Sequence, residues 1–142
     1  MRLSVRRQTA DDAPAVRSML AALGDDAARS RLFGGFADLV EEAGRTGLVA
    51  LDGDELVGHA VMRRIGPHAA EFALEVAAGH RGNGIGTQLA DAVVEAGREA
   101  GMELLIAEVQ RDNGPMLRVL TATGVPLAVT DAGDHLLVEL EL

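Results

Sequence analysis

The sequence predicts an α/β (α+β) fold in a single domain spanning residues 1–142. Seven strands form a mixed, mostly antiparallel sheet flanked by four helices, in the order β-α-α-β-β-β-α-β-α-β-β. Three observations support this prediction. Apolar runs of strand length alternate with apolar residues at helical spacing. Two runs in the middle of the chain are joined by a tight turn, which indicates a hairpin. The following run leads through a glycine-rich turn into a long helix.

The first half of the chain predicts a strand, two helices, a hairpin and a further strand. Capping oxygens at residues 9–12 precede the first helical pattern, which Gly24 ends. Gly34-Gly35 interrupts the second helix, and Asp52-Gly53-Asp54 supplies the hairpin turn. The predicted elements are a strand at 2–8, helices at 13–24 and 28–43, the hairpin at 47–65 and a strand at 68–78.

The second half predicts two helices and three strands. A helix from Gly86 to Ala100 has Leu89, Val93 and Ala96 on one face, and Gly101 suits its C-terminal cap. A buried strand follows, and then a helix that Asn113 opens and Pro115 continues. These elements are the helix at 86–100, the strand at 102–110, the helix at 113–124 and the strands at 125–131 and 135–142.

Composition excludes several classes of function. A net charge of −9 argues against a nucleic-acid partner and favours a cationic one. The sequence has no apolar run of membrane-spanning length and no signal peptide, which predicts a cytoplasmic protein without a membrane partner. Cysteine is absent, and the four histidines lack metal-ligand spacing, so no metal is expected. All 13 basic residues are arginine, and lysine, tyrosine and tryptophan are absent, which removes them as catalytic candidates.

The stretch HRGNGIGT, residues 80–87, lies between a strand and a helix and is suited to binding a phosphate through backbone amides. A P-loop is excluded because the chain has no lysine. The dinucleotide fingerprint is excluded by its glycine spacing and its position. The pattern that remains is R-x-x-G-x-G, formed by Arg81, Gly84 and Gly86. A purely structural tight turn is the alternative.

This pattern, its preceding strand and the downstream N-x-x-M element resemble the GNAT superfamily of acetyl-CoA-dependent N-acetyltransferases, over nearly the whole chain. The resemblance implies that loop amides bind the CoA pyrophosphate and that main-chain groups at the end of the strand bind the pantetheine arm. Asn113 would contact the arm near the sulfur. The implied cofactor-binding residues are Val76, Ala78, Arg81, Gly82, Asn83, Gly84, Ile85, Gly86, Thr87 and Asn113.

Three further stretches, AEFALEV, EVQRDNGPMLRVL and SRLFGGF, are similar to bacterial protein lysine acetyltransferases of the Pat type. This similarity implies a protein lysine as acceptor, for example on an acyl-CoA synthetase. Two alternatives stay open: a small-molecule amine acetyltransferase, and an inactive acyl-CoA-binding or regulatory domain. The inactive alternative is favoured by Leu120, which stands where many GNAT enzymes have a tyrosine as general acid. A monomer and a homodimer are both compatible with the sequence.

Two glutamates are the candidate catalytic residues. Acetyl transfer requires a neutral amine, so a base must remove a proton from a group with a pKa near 10.4. Glu71 and Glu75 lie on one face of the same predicted strand, because strand side chains alternate between faces. The sequence-based mechanism is direct attack in a ternary complex. Glu71 acts as base through water, and the amide near Val76 stabilises the oxyanion.

Overall fold

A computed structural model describes residues 1–23 and 44–142 of the chain. This part of the protein contains a seven-stranded sheet, three α-helices and a short 3-10 turn at Ala10–Asp12. The strands are β1 (Leu3–Arg7), β2 (Arg45–Asp52), β3 (Glu55–Arg64), β4 (Ala69–Val76), β5 (Leu104–Gln110), β6 (Leu127–Asp131) and β7 (His135–Glu141). The helices are α1 (Ala13–Ala22), α2 (Ile85–Glu99) and α3 (Gly114–Ala122).

The sheet has the strand order β1-β2-β3-β4-β5-β7-β6. Strands β1 to β4 pair antiparallel in sequence, and β5, β7 and β6 form a second antiparallel group. The two groups meet where β4 pairs parallel with β5, over Ala69–Glu71 and Leu104–Ile106. The predicted mixed, mostly antiparallel sheet is therefore confirmed.

Helix α2 covers one face of the sheet and forms most of the core. Its apolar side chains, including Leu89 and Val93, pack against inward-facing residues of the central strands, such as Phe72 and Leu105. On the opposite face, Val16 of α1 packs against Val49 of β2, and both are fully buried. The alternation of side chains along β4 thus sends Glu71 and Glu75 to the face opposite α2.

The predicted elements within the described residues agree with the structure to within one or two residues at most boundaries. Helix α2 begins at Ile85 rather than at Gly86, and Gly101 follows it with φ of +78°. Three α-helices are described where four were predicted. The predicted helix at 28–43, its Gly34-Gly35 break, Gly24 and the SRLFGGF stretch lie outside the described residues.

Candidate active site

A pocket opens where β4 and β5 separate. The two strands pair only at the beginning of β4, up to Glu71 and Ile106. Beyond this point the gap between them is about 450 Å³ in volume, including its open mouth. Its walls are Phe72–Glu75 of β4, Ala107–Gln110 of β5 and Met116 of α3. The end of β4 therefore presents an edge that β5 does not cover.

Glu75 lies in the wall of this pocket and is only 5% exposed. The next residue, Val76, has a backbone amide that points toward the gap. The evidence is that Ala77 donates its N–H to the carbonyl of Val57 on β3, at 2.9 Å. Successive N–H groups of an extended strand point to opposite edges, so the Val76 amide points away from β3. A carboxylate and a backbone donor are thus adjacent at the uncovered edge.

Glu71 has different surroundings, although it lies on the same face of β4. It pairs across the strands with Arg63 of β3, and the Glu71 Oε1 forms an ion pair with the Arg63 guanidinium. Its side chain is 12% exposed, and it is not among the residues that line the pocket. Glu71 therefore lies where β4 and β5 are still paired, with a cation on one carboxylate oxygen.

The glycine-rich loop connects β4 to α2. Gly82 and Gly84 have φ of +85° and +80°, a backbone conformation that glycine adopts without a steric penalty. Gly84 is the N-cap of α2, and its carbonyl accepts a hydrogen bond from the Gln88 amide at 3.1 Å. The amides of residues 85–87 precede the first intrahelical bond, so they are available to an anion at the positive end of the helix dipole.

The other predicted cofactor-binding residues divide into two groups. Val76 ends β4, and Ala78, Arg81 and Asn83 lie in the exposed or half-buried turn that leads to α2. Asn113 is at the N-terminus of α3 instead, where its side-chain oxygen accepts a hydrogen bond from the Met116 amide at 3.1 Å. The structure therefore gives Asn113 a capping role, which leaves only its side-chain NH₂ as a donor for a ligand.

Leu120, at the position where many GNAT enzymes carry a tyrosine, is fully buried in the hydrophobic core. An aliphatic side chain at this position has no proton to donate to a thiolate. Met116, one turn earlier, is the residue of α3 that lines the pocket.

The sequence did not identify Glu108, Gln110 and Met116, which complete the pocket. Glu108 is an acidic residue that interrupts the apolar run from Leu104 to Val109, and that interruption was the available signal. Its Oε1 lies 3.7 Å from Nδ1 of His135 on the neighbouring strand. Glu75 and Glu108 together make the pocket acidic, which suits a cationic group.

His59 of β3 is buried beside the site, at 1% exposure. Burial lowers its pKa to about 4 from 6.5, although the charge of Asp12 acts in the opposite direction. The unfolded chain therefore binds a proton between pH 6.5 and 4 that the folded chain does not bind. As far as His59 is concerned, the free energy of unfolding has its full value above pH 6.5 and falls as the pH decreases to 4.

We expect the free energy of unfolding to decrease by about 3 kcal/mol over this interval, since one pKa unit corresponds to about 1.4 kcal/mol. Urea unfolding of the wild type and of His59→Gln at pH 7, 5.5 and 4 measures the effect. The variant should lose most of this dependence. An equal slope in both proteins would contradict the assignment. An Arg6 hydrogen bond lowers the pKa of Asp12 to about 2 from 3.8. The stability that Asp12 contributes is therefore lost only as the pH falls below 3.8, outside this interval.

Residues 1–23 and 44–142 contain no cluster of three or more histidine, cysteine or acidic side chains that could bind a metal ion. Within the same residues, no helix is both long and apolar enough to cross a membrane.

The family model for the acetyltransferase (GNAT) family matches residues 15–124. The uncovered edge of β4, the glycine loop and this match define the class of the protein. The chain belongs to the GNAT family of acetyltransferases. The sequence has no match among curated proteins.

Solved structures with the same fold cover nearly the whole chain. The GNAT domain of S. lividans PAT is 25% identical, with a TM-score of 0.77 over 97% of this chain and 89% of that one. The ribosomal-protein-alanine N-acetyltransferase from Brucella melitensis is 23% identical, with a TM-score of 0.76 over 98% and 99%. The structure of yncA from Salmonella typhimurium with its cofactor acetyl-CoA is 16% identical, with a TM-score of 0.74 over 100% and 94%.

These findings confirm the predicted family, the fold and the enzyme class, an N-acetyltransferase. Acetyl-CoA, the predicted co-substrate, is the one that GNAT enzymes use. The individual site residues and the protein lysine acceptor stay predictions.

Proposed function

We propose that this protein transfers the acetyl group of acetyl-CoA to a lysine side chain of another protein in the cytoplasm. The observation that carries this proposal is the buried Glu75 carboxylate in the wall of the pocket between β4 and β5. This position combines a proton acceptor, an uncovered strand edge and a neighbouring anion-binding helix terminus. Acetyl transfer from a CoA thioester to an amine needs these three features.

The donor binds along β4 and the glycine loop. The amides of residues 85–87 hold the pyrophosphate, and Arg81 lies in the same loop. The main-chain groups of Val76 and Ala78 bind the pantetheine arm, which follows the uncovered edge of β4 as an added strand would. The net charge of −9 opposes an anionic ligand. The local backbone donors overcome this repulsion because they contact the phosphates directly, while distant charges are screened.

The reaction is direct attack within a ternary complex. Glu75 accepts a proton from the ammonium group of the acceptor, and the neutral nitrogen attacks the thioester carbon. The Val76 N–H stabilises the resulting oxyanion. The carbon–sulfur bond then breaks, CoA leaves as a thiolate, and the thiolate takes up the second proton, which the nitrogen loses on becoming an amide. A thiol pKa near 8.5 makes this departure possible without the tyrosine that Leu120 replaces.

Glu75 is the proposed base because it lines the pocket, whereas Glu71 lies where the strands are paired and forms an ion pair with Arg63. Glu71 instead pairs with Arg63 at the point where β4 and β5 begin to separate. In the sequence-based alternative, Glu71 rather than Glu75 accepts the proton of the amine, and it does so through a water molecule.

The similarity to the S. lividans PAT domain supports a protein acceptor. A small polyamine is the second candidate, which the acidic walls formed by Glu75 and Glu108 favour. The third, an inactive acyl-CoA-binding domain, is favoured by the buried leucine at position 120.

Mass spectrometry separates these functions. We expect acetyl-lysine on a purified acyl-CoA synthetase after incubation with the enzyme and acetyl-CoA, and little acetylation of free spermidine. The assay is unusually clean because this chain has no lysine, so every acetyl-lysine belongs to the acceptor. Acetylation of spermidine alone would overturn the protein acceptor. Calorimetric binding of acetyl-CoA, with no release of CoA thiol in the presence of any acceptor, would indicate the inactive domain.

A further inference from the structure

Three buried polar residues form one row across the sheet face opposite α2. In the described part of the chain, Gln8, His59 and Glu75 are the buried residues with polar or charged side chains, at 8%, 1% and 5% exposure. They come from the segment after β1, from β3 and from β4. Buried polar groups are costly unless they have partners, so their alignment requires an explanation.

The first contact joins Gln8 to His59. The Gln8 Oε1 lies 2.7 Å from the His59 Nε2. The Gln8 backbone N–H donates to the Gly47 carbonyl of β2 at 2.9 Å, so the Gln8 side chain passes over Gly47 to reach β3. A Cβ on Gly47 would lie 2.5 Å from the Gln8 Oε1. Glycine at this position therefore leaves space for the amide.

The second link in the row is between His59 and Glu75. The two residues are directly opposite each other in the antiparallel ladder of β3 and β4. Side chains in such a pair have Cβ atoms about 4.5–5.5 Å apart and point to the same face. The row therefore runs from Gln8, over β2, through His59, to the carboxyl group in the pocket wall.

The chemistry of the first contact fixes the histidine ring. An amide oxygen only accepts hydrogen bonds, so the His59 Nε2 carries the hydrogen and Nδ1 is the acceptor of the neutral ring. Glu75 thus lies opposite a neutral, oriented imidazole, whereas Glu71 lies opposite the cationic Arg63, two same-face pairs further along the ladder.

We propose that Gln8 and His59 are positioning residues for Glu75: the hydrogen bond to the Gln8 amide fixes the orientation of the His59 ring, and the fixed ring limits the space that is open to the Glu75 side chain beside it. The proposal rests on the proposed function, in which Glu75 accepts the proton from the amine. Gly47 is part of this arrangement because its missing side chain leaves space for the Gln8 side chain to reach His59.

Gln8→Leu removes the acceptor at nearly constant volume. We expect kcat to fall on the order of tenfold, since small displacements of a catalytic group cost up to about a hundredfold. The KM for acetyl-CoA should stay within twofold, because Gln8 is remote from the glycine loop. Gly47→Ala should have the same effect with all three residues intact, because the new Cβ displaces the flexible end of Gln8. If Gln8→Leu does not fold, Gly47→Ala tests the positioning proposal on its own.

A double-mutant cycle distinguishes positioning from a general loss of structure. In a Glu75→Gln background, Gln8→Leu should lower kcat less than twofold further, because the group that it positions is gone. Val94→Ala is the control, since it removes packing from the core on the α2 side of the sheet, away from the row; it should lower the melting temperature and leave kcat at 15 °C unchanged.

The outcomes are separable from those of the proposed function. Unchanged kcat in both Gln8→Leu and Gly47→Ala, with Glu75→Gln strongly impaired, would overturn the positioning proposal alone. A tenfold loss from Gln8→Leu in both backgrounds would also overturn it. Full activity of Glu75→Gln would instead overturn the assignment of the base.

Discussion

Replacing Glu75 by glutamine should lower kcat by about 100-fold or more, the range typical for loss of a general base. Glutamine keeps the volume and polarity of the side chain but cannot accept the proton of the amine. The dissociation constant of acetyl-CoA, measured by calorimetry, should stay within twofold because the glycine loop is unchanged. Steady-state thiol release with a lysine-containing acceptor, over pH 6 to 9, measures kcat.

Two variants make this result specific. Glu71→Gln tests the other carboxylate and should cost less than fivefold, since Glu71 lies outside the pocket and pairs with Arg63. Glu99→Gln, on the exposed last turn of α2, is the control for loss of one negative charge and should have no effect. A large loss in Glu71→Gln with an active Glu75→Gln would transfer the role of base to Glu71.

Replacing Gly84 by alanine should weaken acetyl-CoA binding by about tenfold or more. An L residue in the left-handed conformation costs roughly 1–2 kcal/mol, and relaxation of the loop turns the amides of residues 85–87 away from the pyrophosphate. Loss of a hydrogen bond to a charged group costs about 1.5–3 kcal/mol. Calorimetry gives the affinity, and kcat at saturating acetyl-CoA should change little.

Gly101→Ala is the matched control. Gly101 follows the other end of the same helix with φ of +78°, against +80° for Gly84, and open space surrounds both positions. Both variants should therefore lose similar thermal stability, and only Gly84→Ala should lose affinity. Equal affinities in the two variants would show that the loop glycines serve the turn alone.

The sequence predicted the fold well because its signals are local. Apolar periodicity located the strands and helices, and glycines with positive φ marked turns that other residues adopt only with strain. The glycine loop was recognisable for the same reason: its residues are contiguous, and a backbone anion site at a helix N-terminus needs no distant partner.

The candidate site was predictable only in part. Strand alternation placed Glu71 and Glu75 on one face of β4, but it could not distinguish them. The difference arises because β4 and β5 pair up to Glu71 and then separate, so only Glu75 reaches the pocket. Asn113 was expected at the cofactor, and the structure adds that its side-chain oxygen caps α3.

By itself the sequence determined the order of elements, the anion-binding loop and the pair of candidate carboxylates, since each depends on neighbours along the chain. Only the tertiary structure decided which carboxylate faces the pocket and what surrounds it. Gln8 and His59, 51 residues apart in sequence, meet because the β1, β2 and β3 strands bring them to one face. Such contacts depend on strand register and sheet geometry, which local patterns do not encode.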